Sequence, residues 1–153
     1  MMNGLTRTLC TVVVTLAALV ACGEPASEPE AELRAWVATG IESAENKQRR
    51  DLMSMVSPAY ADARGKEKGD IENMLRVYFL RQHSIALLPK INEITIYDDT
   101  AASVDLTVGL AGTNDGVLGF SADAYRFELE LEKDGDEWVL ISARWGELGG
   151  EIK

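Results

Sequence analysis

Ala102-Ser103-Val104-Asp105-Leu106-Thr107-Val108-Gly109-Leu110 is the stretch on which the fold turns. Apolar residues at every second position alternate with small or polar ones, so successive side chains fall on opposite sides of an extended chain and one side can be buried. The same period runs to either side of it. Upstream, Ile94 and Ile96 alternate with Thr95 and Tyr97 as far as an Asp98-Asp99 turn. Downstream, Tyr125, Phe127, Leu129 and Leu131 alternate with Arg126, Glu128, Glu130 and Glu132, and Asp134-Gly135-Asp136 makes the next hairpin. Trp138 to Trp145 (WVLISARW) is apolar on both sides and is predicted to lie centrally or beneath a covering element. Ala111 to Ser121 (AGTNDGVLGFS), with its three glycines, reads as a long hairpin loop or an irregular lip. The second half of the chain is therefore four antiparallel strands.

The first half has a different period. Leu33, Trp36, Val37, Gly40, Ile41 and Ala44 recur at helical spacing from Ala31 onward, with Glu32, Arg34, Glu42 and Glu45 between them, which gives a first helix with one apolar face. Gly40 costs about 1 kcal/mol relative to Ala inside a helix, so it is expected where a strand or helix approaches closely. Asn46 to Arg50 (NKQRR) marks the end of that helix. Asp51 is predicted to cap a short second helix containing Leu52, Met53, Met55 and Val56, which ends at Ser57-Pro58. After a polar loop from Asp62 to Asp70, Asp70 is predicted to cap a third helix. Ile71, Met74, Leu75, Tyr78, Phe79 and Gln82 recur along it to about Ala86, and Pro89 stops it. The fold class is α+β, with three N-terminal helices packed on an antiparallel sheet of about four strands.

This order resembles the cystatin-like α+β roll of the nuclear transport factor two and SnoaL-like superfamily. The residues that carry the resemblance are Leu33, Trp36, Val37 and Ile41 in the long helix, Leu52, Val56, Ser57, Pro58 and Tyr60 at the junction, and Trp138, Val139 and Leu140 at the last strand. It covers nearly all of residues 31 to 148. The resemblance implies a curved sheet that forms a cone with the helices, open at one end. In some relatives the cone binds an apolar ligand or runs isomerase or dehydratase chemistry, and in many it is closed by side chains. The fold alone does not choose among these.

The amino-terminal residues carry a separate signal. Arg7 precedes Leu9 to Val20 (LCTVVVTLAALV), an uncharged run too short to span a bilayer, which needs roughly 20 apolar residues. Leu19-Val20-Ala21-Cys22 resembles the lipobox of bacterial lipoproteins, in which the cysteine sulfur takes a diacylglycerol before cleavage on its amino side. Residues 1–21 are thus expected to be a cleaved signal peptide and Cys22 the lipidation site; the plain alternative is an ordinary signal peptide cut after Ala21. Gly23 after the cysteine favours the outer membrane over the inner in that pattern. Residues 22–30 read as a lipid-anchored tether, in which Gly23 to Glu30, rich in Pro and Glu, give roughly 25 Å of reach at about 3.1 Å per residue, and residues 31–153 as a single domain. The expected location is the cell envelope, with the domain held on the periplasmic side by acyl chains.

Composition narrows the chemistry. The chain carries a net charge of −10, unevenly spread: residues 31–90 hold ten basic and eight acidic residues, whereas residues 91–153 hold four basic and fourteen acidic. Nucleic acid is excluded as an expected partner because phosphate binding needs a basic face. The acidity serves solubility or docks a cationic protein. With one His and a single cysteine after the signal, no metal site, redox framework or cofactor is expected.

Candidate pocket residues are Tyr60, Tyr78, Phe79, His83 and Trp145, with Arg81 or Arg144 as a charged handle. Aromatic residues at these spacings equally serve as plain core. His83, placed near the end of the third helix, is of a residue type that serves as a general base, yet no spacing supplies a group to orient it. The resemblance adds that relatives acting as ketosteroid isomerases pair a buried aspartate with a tyrosine. Tyr60, Tyr78, Asp62 and Asp105 are of the right types, but Asp62 lies in a polar loop and Asp105 on the wet side of its strand. No catalytic residue is assigned. The expected function is a non-catalytic binding module for an apolar small molecule or a protein partner; an isomerase or lyase using the same cone, and a purely structural envelope role, are the alternatives. Glu128, Glu130 and Glu132 share the outer face, and like charges facing one another across a two-fold axis would favour a monomer.

Overall fold

The computed structural model describes residues 28–114 and 120–153. Three helices, α1 (Glu28–Glu45), α2 (Arg49–Ser54) and α3 (Lys68–Arg81), precede four strands, β1 (Gln82–Asp98), β2 (Ala101–Asn114), β3 (Phe120–Asp134) and β4 (Glu137–Glu147). The strands form one antiparallel sheet in sequence order. The signal peptide, the lipobox with Cys22 and most of the tether lie outside the described residues. So do residues 115–119 of the expected lip; residues 111–114 and 120–121 extend β2 and β3 instead.

Helix α1 starts at Glu28, three residues inside the expected tether. Pro29 falls in its first turn, where a missing N–H breaks no helical bond, and Glu28 and Glu30 meet the positive end of the helix dipole. Its apolar face lies across the sheet. Leu33 and Val37 are buried with Ala102, Val104, Leu106 and Val108 of β2, Leu131 of β3 and Trp138 of β4. The opening motif is borne out: residues 102, 104, 106 and 108 are buried and their neighbours are not. Glu32 ties the helix to the far corner, accepting a hydrogen bond from Trp138 Nε1 at 2.8 Å and pairing with Lys133 Nζ at 2.9 Å.

Gly40 does not admit a strand or helix. A Cβ placed there would meet only the tip of the Met55 side chain, at 3.4 Å from its Cε. Asp51 is not the cap of α2 but lies in its first turn, with Gln48 preceding the helix. Nor does Asp70 begin α3. Glu67 precedes the helix, and Asp70 is the third residue of a reciprocal capping box in which its carboxylate accepts the Glu67 N–H at 3.0 Å.

The largest departure from expectation is at the end of α3. The helix stops at Arg81, and Gln82, with extended backbone angles, leads straight into β1. Residues 84–88 suit a helix by composition, but pairing with residues 109–113 of β2 takes them into the sheet. Pro89 therefore lies within a strand rather than stopping a helix. It is tolerated because β1 is an edge strand. Leu87 turns its N–H away from β2 to the Glu45 carboxylate at 2.7 Å, and by alternation the Pro89 nitrogen occupies that same free side.

Strand β4 is at the other edge, not central as its composition suggested, but it is covered. Met55 accepts the Leu140 N–H at 2.9 Å, the Ser57 N–H donates back to Leu140 at 2.9 Å, and the Ala61 N–H reaches the Ile141 carbonyl at 3.1 Å. Ile141 is free to accept because a register shift after Glu130 leaves it out of the β3 ladder. Farther along, Trp145 pairs with Lys153 of the C-terminal tail. A Cβ at Gly146 would sit 2.4 Å from the Glu151 carbonyl oxygen, so only glycine lets the tail lie there.

Two substitutions check this packing. Leu33→Ala, at a site with no exposure, should cost about 2–5 kcal/mol in urea denaturation. Gly40→Ala, facing only a flexible thioether tip, should raise stability by about 0.5–1 kcal/mol through helix propensity; a loss would mean that Met55 cannot yield.

Candidate functional site

The inner face of the sheet is built by residues in register across three strands. Val108, Tyr125 and Glu147 form one row, Leu106, Phe127 and Trp145 the next, and Val104, Leu129 and Ala143 the third. Helix α3 lies over this face with Ile71, Leu75, Tyr78 and Phe79 only partly buried, and no residue of α3 is fully buried. The wall it forms is lightly packed.

At the inner end, Tyr60 is 2% exposed and packs with Met53, Val56 and Ala143 against Ile71, Leu75, Leu129, Leu140 and Trp145. Its hydroxyl donates to Asp62 Oδ2 at 3.2 Å. Asp62 Oδ1 in turn accepts the backbone N–H groups of Arg64 and Lys66, each at 2.9 Å. Burial, and then the Asp62 charge, push the Tyr60 phenol up from its ordinary value. The pair is thus brought together, but as a structural clasp: the carboxylate is saturated by a turn and the phenolic proton is committed to it. Trp145, half-buried beside this cluster, carries the Arg64 guanidinium 4.4 Å from its ring centroid, and Arg64 Nη2 donates to the Trp145 carbonyl at 2.7 Å.

Farther along the same face, Tyr78 of α3 lies within electrostatic reach of Asp123 and Tyr125 of β3, and Tyr125 within reach of Asp123 and Glu147. Burial is the first cause, and the neighbouring carboxylates the next, that raise both phenols above their ordinary value. Asp123 faces Leu110 across the β2–β3 ladder and is exposed. Two tyrosines and two acids therefore come together where α3 meets the sheet.

The candidate residues are consequently divided. Tyr60 and Trp145 share the inner cluster, Tyr78 lies near Asp123 and Tyr125, and Phe79, in ring contact with Tyr78 at 6.3 Å, also lines a separate groove beside α2. His83 is not on α3 at all; it is an exposed residue of β1 whose carbonyl accepts a bond from Lys47 Nζ at 3.1 Å. Arg144 is no handle for the pocket, since it pairs with Glu128 on the outer face, and Arg81 ends α3 as an exposed residue. Arg64, Asp123 and Tyr125 were missed as site residues. For Asp123 and Tyr125 the signal was present, because they continue the inward alternation of Phe127 and Leu129; for Arg64 there was none. Among the described residues no cluster could hold a metal ion, and no helix is long and apolar enough to cross a membrane.

The outer face carries a cross-strand ion ladder. Arg126 binds Asp105 through Nε at 3.1 Å and through Nη2, and lies 3.8 Å from Glu128, which pairs also with Arg144. Asn92 Nδ2 donates to Asp105 Oδ1 at 3.0 Å. Asp105 is thus on the wet side, as expected. Glu128 is compensated, so the like-charge argument for a monomer rests on Glu130 and Glu132 alone.

No family model and no curated protein matches this chain by sequence. Solved structures do match it. A ketosteroid isomerase-like protein from Erwinia carotovora atroseptica superposes with a TM-score of 0.67 at 12% identity, over 80% of this chain and 98% of that one. A protein proposed to be a scytalone dehydratase, from Novosphingobium aromaticivorans, gives 0.70 at 8% identity over 80% and 85%. An NTF-2 like protein of unknown function from Shewanella oneidensis gives 0.59 at 16% identity over 75% and 96%. At these identities the likeness defines the fold: the chain is an α+β roll of the nuclear transport factor two-like type.

The hydrogen bonds of Arg126, with that of Asn92, hold the Asp105 carboxyl below the usual carboxylate range, against the opposing effect of burial. A carboxyl depressed on folding adds stability that is present above its unfolded value of about 3.9 and is lost as pH falls through the folded value. Asp105→Asn should therefore lower the melting temperature at pH 7 and flatten its decline on acidification below about pH 4. Parallel curves for the two proteins would show that the pair adds nothing.

Proposed function

We propose that this chain is an envelope lipoprotein whose roll is a non-catalytic binding module, taking an apolar small molecule between α3 and the inner face of the sheet. The observation that carries the reading is the state of α3, a fourteen-residue helix with an apolar inner face of which no residue is fully buried. A helix laid over an apolar sheet without sealing it leaves room for a third body, and Tyr78 and Tyr125 offer polar-tipped rings at the entrance. The placement in the envelope rests on the Leu19-Val20-Ala21-Cys22 sequence, with two or three acyl chains on Cys22 holding the domain firmly where one would not.

A second reading is an isomerase or lyase in the same cone. It is favoured by Asp123 standing near Tyr78 and Tyr125, and by the ketosteroid isomerase-like neighbour. Proton abstraction of that kind works from a carboxyl walled by apolar groups, whereas Asp123 is exposed, so the binding reading is preferred.

Extraction of the purified protein with organic solvent should release a small apolar molecule at about one per chain, read by mass spectrometry, and Tyr78→Ala with Tyr125→Ala should lose most of it. A protein that carries nothing and takes up no apolar fluorophore would overturn the binding reading. Separately, Cys22→Ser should abolish incorporation of radioactive fatty acid; labelling that persists would remove the anchor.

A further inference from the structure

A groove outside the cone departs from the chain's acidic character. Lys47, Gln48, Arg49, Arg50, Asp51, Arg76, Phe79 and Leu80 line a groove of about 510 Å³ between the α1–α2 turn, α2 and the last turns of α3. It sets four cations against one carboxylate on a protein of net charge −10. Its size suits a small molecule.

The cations are not equally free. Lys47 adopts a left-handed backbone, with φ of 55°, that L residues seldom hold, and its ammonium donates to the carbonyls of Gln82 and, at 3.1 Å, of His83. It fastens the α1–α2 turn to the α3–β1 junction, so the two walls of the groove are held together. Arg49 lies 3.3 Å from Glu72 Oε1. Among the described residues the Arg76 guanidinium meets only a neutral acceptor, Asn73 Oδ1, at 2.8 Å. The Arg50 side chain is exposed and has no hydrogen bond or ion pair among the described residues. Two guanidiniums thus stand with donors to spare beside Phe79 and beside Leu80, which is 80% exposed. Guanidinium forks match planar or tetrahedral oxyanions, and an apolar side chain left in water at the same rim favours a ligand that covers it.

From this juxtaposition we infer that the groove binds a small anionic amphiphile, with a phosphate monoester or carboxylate head on Arg50 and Arg76 and a short apolar body on Phe79 and Leu80. The site is distinct from the cone mouth and does not depend on the ligand proposed there. Lys47 serves it as a positioning residue, since its ammonium is already committed to backbone carbonyls.

The test is calorimetric titration of the purified full chain with octyl phosphate below its micelle-forming concentration, with octanol, and with inorganic phosphate. Octyl phosphate should saturate one site, and the two half-ligands should each bind at least about tenfold more weakly. Arg50→Glu with Arg76→Glu should weaken octyl phosphate by at least about tenfold at an unchanged urea midpoint, and Arg50→Ala gives a milder arm in which folding is not at issue. Leu80→Glu should weaken it too, while Asp123→Asn at the cone mouth should leave it within about twofold, so this site and the cone are judged separately. Octyl phosphate binding that survives charge reversal, or inorganic phosphate binding equally well, would overturn the inference. So would Arg50-dependent sedimentation with phosphatidylglycerol vesicles in the absence of saturable octyl phosphate binding, which would make the face a bilayer contact.

Discussion

The structure depends on how its last strand is closed off. An edge strand presents unpaired N–H and C=O groups, and β4 would do so along a surface that is apolar on both sides. The chain after α2 supplies the partners: Met55, Ser57 and Ala61 bond to Leu140 and Ile141, and the tail does the same at Trp145. These few bonds also fix the helices. With residues 55–61 pinned to β4, Met53, Val56 and Tyr60 are carried into the cluster beneath α3, and the helical layer cannot slide over the sheet.

The opposite edge is managed with charged side chains rather than by added backbone. Glu45 accepts the free N–H of Leu87, and Lys47 holds the carbonyls of Gln82 and His83. Glu45 ends α1 and Lys47 lies in the turn after it, and the middle of α1 is anchored by Leu33 and Val37 against β2. One helix therefore reaches from the Trp138 corner, through Glu32, to the α3–β1 junction. Between the two pinned edges, α3 itself has no fully buried residue, and the basic groove lies along its outer side.

Charge is distributed along the same lines. Asp105 of β2 and Glu128 of β3 are drawn into a ladder with Arg126 and Arg144 on the outer face, so the sheet's exterior is less repulsive than its composition implies. The cations of the first half do not enter that ladder. Lys47, Arg49, Arg50 and Arg76 gather around α2 and α3, where Arg49 lies near Glu72 while the side chains of Arg50 and Arg76 have no carboxylate partner among the described residues.

Alternation from Ala102 to Leu110 and from Tyr125 to Leu131 was enough to give the sheet and its inward face, because period two admits only one way of burying those side chains. The apolar spacing of Leu33 and Val37 likewise gave α1. What local pattern left ambiguous was decided by partners distant in sequence. Residues 84–88 became strand because residues 109–113 were there to pair with them, and Pro89 was harmless because its nitrogen faces the open edge. The site was legible only in type: tyrosines and a tryptophan were named, but whether Tyr60 met Asp62 or a ligand depended on the turn that saturates Asp62. The polar run from Asn46 to Arg50 read as a helix end, and only the docking of α3 beside it made those cations the wall of a groove.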